Sequence, residues 1–441
     1  MTAGLIFAAP SSGAGKTMMV AALLAAFKAR GVDVRAAKSG PDYIDPGFHA
    51  AAAGRACVNL DAWAMGADQL LGLAAGQGGE LLLVEGAMGL FDGAPDVDNP
   101  MGRGSVAELA GLLRLPVVLV VDASRAAQTV APIVQGLAAA LGARADASGG
   151  DIYEQKMVGV ILNRVGSARH EAMLRSALGH CGVEVLGAVP RHAALKRESR
   201  HLGLVQAGED AGLAAGLAAA AALVAQHVDM DRLMALAGPV QDAAPCQGLP
   251  PLGQRIAYAA DRAFAFAYPH ILQGWQRAGA ALLPFSPLND EAPATEADAV
   301  FLPGGYPELQ AGVLANAARF RAGMADSAAR GSVIYGECGG YMVLGDGLVD
   351  AQGQRHQMLG LLPVETSFAQ RKMTLGYRHL KPLGGLFGAV ARRGHEFHYA
   401  TITSQDSADP LWRAHDSLGA DLGTLGQRRG LVCGAFAHLI A

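Results

Sequence analysis

The first apolar run, Leu5–Ala8, breaks into Pro10-Ser11-Ser12-Gly13-Ala14-Gly15-Lys16-Thr17, and helical periodicity follows through Arg30. Strand, glycine turn and helix in that order constrain the fold more than any other feature of the chain. The backbone N–H groups of Ser12, Gly13, Ala14 and Gly15 are expected to point at an anion, with the helix N-terminus adding favourable potential. This is the context a phosphate-binding P-loop requires. Lys16 is then expected to reach the β- and γ-phosphates of ATP, and Thr17 to offer its hydroxyl to Mg²⁺. The usual pattern opens with glycine; Pro10 stands there instead, so the loop is a variant. An ordinary glycine-rich turn is the alternative, and the register of strand, Gly-Lys-Thr and helix argues against it.

Short apolar runs recur along the first half: Val34–Ala37, Leu81–Val84, Val117–Val121, Val158–Leu162 and Val185–Val189. Continuous runs of this kind suit strands buried on both faces of a parallel sheet. Helical stretches fall between them, among them Lys16–Arg30, Val106–Leu113 and Ala126–Leu141. The alternation predicts a doubly wound α/β domain over residues 1–233. Residues 234–254, rich in proline and glycine, read as a linker. Strand-like runs resume at Arg255–Ala259, Ala281–Pro284, Ala299–Leu302 and Ser332–Tyr335, and the chain closes on Val432–Ala437. A second α/β domain over 255–441 is expected.

Composition narrows the partners. The formal charge is −4 with no basic stripe, which argues against nucleic acid. Apolar residues are 51% and charged residues 17%, so a large core is available. The apolar stretch Ala211–Ala225 is about fifteen residues, short of the roughly twenty that cross a bilayer. The 5 cysteines are widely spaced without a Cys-x-x-Cys pair. With no signal-peptide pattern at the start, a reducing, cytoplasmic setting is expected.

A P-loop needs carboxylates for its metal. Two glycine-rich loops follow predicted strands: Lys38-Ser39-Gly40-Pro41-Asp42-Tyr43-Ile44-Asp45-Pro46 and Val84-Glu85-Gly86-Ala87-Met88-Gly89-Leu90-Phe91-Asp92-Gly93. Ligands bind at such strand ends in open α/β sheets. Asp45 and Glu85 are the candidate Mg²⁺ ligands with Thr17. Asp42 and Asp92 suit substrate or supporting positions, and Lys38 suits charge balance at the reacting phosphate. Each of these acids is also a fair turn or N-cap residue. Asn163, ending the strand Val158–Leu162, suits either an adenine edge or a turn.

The second half carries Ser332-Val333-Ile334-Tyr335-Gly336-Glu337-Cys338-Gly339-Gly340-Tyr341, a strand, tight turn and helix. Cysteine at that turn has the mechanics of a nucleophile elbow, and the helix N-terminus is expected to lower its pKa. His438, 100 positions on, is the candidate base; His395 and His398 are rivals. Their i, i+3 spacing superficially suggests a metal, but a strand sends them to opposite faces. Backbone N–H groups of Gly305 and Gly339 suit an oxyanion hole.

These motifs together resemble the cobyrinic or hydrogenobyrinic acid a,c-diamide synthases of cobalamin biosynthesis. KSGPDYIDPGFH, VEGAMGLFDG, DRAFAFAYP, FSPLNDE, LPGGYPEL, YGECGGYMVLG and GHEFHYA occur in the family's order, over nearly the whole chain. The resemblance implies a dethiobiotin-synthetase-like N-terminal domain and a C-terminal class I glutamine amidotransferase domain. It implies Cys338 as glutaminase nucleophile and His438 as its base. Related amidotransferases place a glutamate two residues after the histidine; here Ile440 stands there, so the triad is incomplete. ATP with Mg²⁺, L-glutamine and a tetrapyrrole (corrin) acid are the implied reactants, through acyl phosphates and ammonia carried along a protected path. Hydrogenobyrinic acid is the expected substrate, with cobalt-containing cobyrinic acid or another tetrapyrrole acid as alternatives. A ParA/MinD-like regulatory ATPase with a degenerate amidotransferase domain is the alternative of another class, and the intact elbow with His438 argues against it. A homodimer is compatible with the sequence, which marks no interface for it.

Overall fold

A computed structural model describes residues 2–97, 102–147, 156–195, 206–209, 212–384 and 386–441. Contacts divide the chain into two compact units, parting between Cys246 and Gln247.

In the first unit the strands are β1 (Ala3–Ala8), β2 (Val34–Ser39), β3 (Val58–Leu60), β4 (Leu81–Glu85), β5 (Val117–Asp122), β6 (Met157–Val165), β7 (Val185–Pro190) and β8 (Gly238–Pro239). Their order is β3-β2-β4-β1-β5-β6-β7, all parallel along that path, with β8 antiparallel to the start of β1. Leu5, Ile6, Phe7 and Ala8 have no exposed surface, as expected of a strand covered on both faces. The helix Lys16–Ala29 covers one face with Met19, Val20, Leu23, Leu24 and Phe27, all in the same core cluster. Burying each of the larger of these contributes about 1.5–3 kcal/mol.

Three details differ from the expected pattern. The helix expected from Ala126 begins at Val130, because Ala126 and Val130 each donate to the carbonyl three residues back in successive turns. The segment 234–254 is partly structured: Met234–Leu236 close a helix, β8 joins the sheet, and Val240 N–H donates to the Thr2 carbonyl at 2.9 Å. The Ala211–Ala225 stretch forms the helix Leu213–His227, with residue 211 outside the described residues.

The second unit begins with β9 (Arg255–Ala259), β10 (Ala281–Phe285), β11 (Ala299–Leu302) and β12 (Val333–Glu337). It continues with β13 (Gly347–Val349), β14 (Arg355–Gln357), β15 (Val364–Ser367), β16 (Thr374–Pro382), β17 (Arg392–His398) and β18 (Thr401–Gln405). It ends with β19 (Asp409–His415), β20 (Asp421–Arg429), β21 (Val432–Ala435) and β22 (His438–Leu439). The main sheet runs β10-β9-β11-β12-β21-β20-β19-β16-β17-β22, and β14-β13-β15-β18 form a smaller one. From β10 to β21 neighbours are parallel; beyond β21 they are antiparallel. The turn Phe436–Ala437 carries the chain from β21 to β22, which pairs with β17 at the far end of that path.

Candidate functional site

The order β2-β4-β1 explains the first site. Three neighbouring parallel strands end side by side, with Lys38 opposite Glu85 and Phe7 opposite Glu85 in register. Their following loops are the P-loop and the two acidic loops, so residues distant in sequence converge at one sheet edge.

Gly13 and Gly15 turn the P-loop with φ of +81° and +86°. A Cβ at Gly15 would also collide with the Asn163 amide, so conformation and space both demand glycine there. The helix from Lys16 starts without a side-chain cap, which leaves first-turn N–H groups suited to an anion. Lys16 Nζ donates to the Met88 carbonyl. Burial is the largest influence on that ammonium and lowers its pKa to about 8, against the opposing pull of Glu85.

Beside it, Thr17 Oγ1 stands 3.1 Å from Asp45 Oδ2 and 2.8 Å from Glu85 Oε1. Lys38 Nζ lies 2.9 Å from Asp45 Oδ2 and 3.0 Å from Glu85 Oε2. Burial alone would lower the Lys38 ammonium, but Glu85 and Asp45 outweigh it and hold its pKa above the ordinary value. For Glu85, burial pushes upward, and Lys38 and His49 overcome it, so the carboxyl lies below its ordinary value. His49 Nε2 is 2.5 Å from Glu85 Oε2 and has no exposed surface. Thr17, Asp45 and Glu85 thus present hard oxygens only, the donor type that Mg²⁺ takes alongside phosphate and water.

The remaining expected residues divide. Asp42 Oδ1 accepts from Ile44 and Asp45 N–H at 2.7 and 3.1 Å, which shapes the turn that presents Asp45. Burial, then the Asp45 charge, raise its pKa to about 6. Asp92 Oδ2 accepts from Gly89 N–H at 2.7 Å and closes its own loop. Asn163 Nδ2 donates to the Ala14 carbonyl at 2.9 Å, so its amide group braces the P-loop itself. Arg164 and Asp122 go unmarked in the sequence reading. Arg164 Nη1 reaches the Gly13 carbonyl at 3.0 Å and Asp122 Oδ2 at 2.5 Å. Asn59 is likewise missed; its buried amide donates to the Gly40 and Asp42 carbonyls at 2.8 and 2.7 Å and pins the Lys38–Asp45 loop. Only an asparagine inside an apolar run could have signalled it.

In the second unit β12 and β21 are adjacent and parallel, with Glu337 opposite Ala435. Cys338 leaves the end of one and His438 follows the end of the other. Cys338 has φ +46° and ψ −103°, a strained conformation at the turn between strand and helix, as an elbow demands. Its N–H donates to the Ala435 carbonyl at 2.8 Å, and the helix Gly339–Leu344 follows at once. The strain is held by neighbours on both sides.

A Cβ at Gly304 would collide with His438 Cε1 and stand 2.8 Å from its Nε2 and 3.3 Å from Cys338 Cβ. Imidazole and thiol therefore share one glycine-walled corner. A Cβ at Gly339 would stand 2.9 Å from Gly305 N, so the two oxyanion candidates also adjoin. His395 pairs with His438 across β17–β22, and His398 stacks on Phe436 at 3.9 Å, on the other face of the strand. No group of three or more His, Cys, Asp or Glu among the described residues is placed to hold a metal ion, so His395 and His398 have no third such ligand beside them.

One expectation is reversed. The thiol of Cys338 is not lowered: burial is the main cause pushing it above its ordinary value, Glu308 adds to this, and the Gly339 N–H opposes only in part. A one-and-a-half-turn helix cannot offset a buried site with carboxylates facing it. Burial thus favours the neutral thiol, which gives a neighbouring base a role in attack.

Residues 5–205 match the CobQ/CobB/MinD/ParA nucleotide binding domain family, and residues 255–441 match the CobB/CobQ-like glutamine amidotransferase domain family. A hydrogenobyrinate a,c-diamide synthase of Brucella abortus is 53% identical over 99% of this chain and 98% of its own. Proteins of the same name from Rhizobium meliloti and Rhodobacter capsulatus are each 51% identical over 99% of this chain, and over 99% and 98% of their own.

Proposed function

We infer, from a chain that belongs to the hydrogenobyrinate a,c-diamide synthase family, that it uses ATP and glutamine to amidate the a and c side-chain carboxylates of hydrogenobyrinic acid in cobalamin biosynthesis. The observation that carries this reading is the pairing, in one chain, of a P-loop cluster with a cysteine elbow facing a histidine.

The second unit releases ammonia. His438 takes the Cys338 proton as Sγ attacks the side-chain amide carbon of glutamine, and the Gly305 and Gly339 N–H groups receive the developing oxyanion. The imidazolium returns its proton to the leaving nitrogen. Ammonia departs, and water hydrolyses the glutamyl thioester to glutamate and free thiol.

The first unit activates the acceptor. A ring carboxylate attacks the γ-phosphorus of ATP, ADP leaves, and an acyl phosphate forms. Ammonia attacks the acyl carbon, phosphate leaves, and the amide nitrogen loses its extra proton. A carboxylate is already nucleophilic, so positioning and charge neutralisation carry the step rather than a general base. Lys16 and Lys38 are the cations for this, with the P-loop N–H groups of Ser12 to Gly15 around the phosphates. Thr17, Asp45 and Glu85 would hold Mg²⁺, which neutralises phosphate charge when bound. Asp42 and Asp92 act through the turns they close, and Asn163 braces the P-loop.

The near-balanced charge speaks against a nucleic-acid partner, and among the described residues no helix is long and apolar enough to cross a membrane. We place the reaction in the cytoplasm, and a homodimer is compatible with it. Comparing the cobalt-free and cobalt-containing acids as substrates tests the ring assignment. A kcat/KM at least about tenfold higher for hydrogenobyrinic acid is expected, a ratio that roughly 1.4 kcal/mol of differential binding supplies. A preference for cobyrinic acid would overturn it.

A further inference from the structure

The glutamine reaction leaves one group unaccounted for. A histidine that serves as base works best when its far nitrogen is held, so that the near one faces the nucleophile in the right tautomer. The position two residues after His438 cannot do this. Ile440 is apolar and has no exposed surface, and its carbonyl accepts from His270 Nε2 at 3.0 Å.

The carboxylate that faces the imidazole comes from elsewhere. Glu337, the residue before the nucleophile, ends β12 with 3% of its surface exposed. Its Oε2 lies 3.6 Å from His438 Nδ1. Its Oε1 accepts from Leu439 N–H at 3.0 Å, the amide that follows the histidine. That bond fixes the carboxylate along β22 and leaves its other oxygen turned to the ring. Nε2, on the opposite edge of the ring, faces the Gly304 corner with Cys338. On its far side Glu337 borders a mostly apolar cavity lined by Ile271, Trp275, Phe301, Tyr335, Phe387 and Leu439. In such surroundings an isolated carboxylate is costly, and the Leu439 N–H, the imidazole and the Tyr335 hydroxyl are the polar neighbours that offset it.

We propose that Glu337 is the positioning residue for His438, supplying from the strand before the nucleophile the carboxylate that related amidotransferases place after the histidine. The role rests on the glutaminase reading of the second unit. Alternation explains the placement. Cys338 sits in the turn beyond β12, so the last strand residue projects to the side where β22 passes, and one short element aims both nucleophile and orienter. Other titratable groups facing the pair are Glu308 and Glu396 near the thiol, Tyr335 of β12 beside Glu337, and His395 from β17 beside the imidazole.

The test is Glu337→Gln in the full chain, with kcat and KM measured using glutamine and, separately, ammonium as nitrogen source. Glutamine keeps the shape and can still accept from Leu439 N–H, but it offers His438 no charge. The glutamine-driven kcat is expected to fall by about 10²–10⁴, as loss of an orienting carboxylate does in hydrolytic triads. The loss should fall on kcat and leave the KM for glutamine within about twofold of the parent, because the carboxylate aims the base and does not touch the substrate. The ammonium-driven rate should stay at the parent value. A glutamine-driven kcat within twofold of the parent would overturn the role. Should E337Q lose the ammonium-driven rate as well, E337D decides. A glutamine-driven rate within about tenfold of the parent, with the KM for glutamine unchanged, supports the role; a rate as low as that of C338S overturns it. A C338S chain that still uses glutamine would instead sink the underlying reading, so the two failures are distinguishable.

Discussion

Cys338→Ser abolishes glutamine-driven amidation and leaves ammonium-driven amidation at the parent rate. The loss expected is at least about 10³-fold, because serine at the same elbow is a far weaker nucleophile unless its base and oxyanion site are rebuilt for it. The change is nearly isosteric, so the strained turn and the Ala435 contact of the 338 N–H survive. Assaying product with each nitrogen source, at saturating ATP and ring acid, separates the effects. If both rates survive unchanged, Cys338 is inert and the second unit is not a glutaminase.

The mirror result is expected in the first unit. Lys16→Ala and Asp45→Asn each abolish synthesis with either nitrogen source, by about 10²–10³-fold or more, the loss typical of removing one preorganised charge at a developing anion. Lys16→Ala leaves the phosphates without the P-loop cation. Asp45→Asn removes one of the two carboxylates that hold Lys38 and flank Thr17. Glutamine hydrolysis assayed alone should persist in both variants. An ammonium-driven rate equal to the parent's in K16A would contradict the P-loop assignment.

Much of this was legible before the structure, for reasons that differ by region. The buried parallel strands announced themselves because both faces are covered: Val34, Leu81, Val117 and Val185 start strands where the apolar runs start. The short strand Val58–Leu60 did not, since three residues carry no period. Nor did the antiparallel strands Thr374–Pro382 and Asp421–Arg429, whose exposed polar residues resemble loops. At the sites, motif spacing pointed to Thr17, Asp45 and Glu85 and to Cys338 and His438. It could not reveal that Asn163 faces the P-loop carbonyl, or that burial and nearby carboxylates raise the Cys338 thiol. Both depend on which strands are neighbours. Glu337 is the sharpest case: read linearly it is a strand residue, and only the pairing of β12 with β21 and the turn into His438 give it a partner.

The central claim is that one chain moves glutamine nitrogen onto ATP-activated ring carboxylates. Incubating the protein with hydrogenobyrinic acid, ATP, Mg²⁺ and glutamine labelled with ¹⁵N at its side-chain amide, followed by mass spectrometry of the ring, tests it most directly. The account predicts successive conversion of two carboxylates to ¹⁵N-labelled amides, with ATP consumed to ADP and phosphate. ATP hydrolysis without any amide on the ring would contradict it and favour a regulatory ATPase.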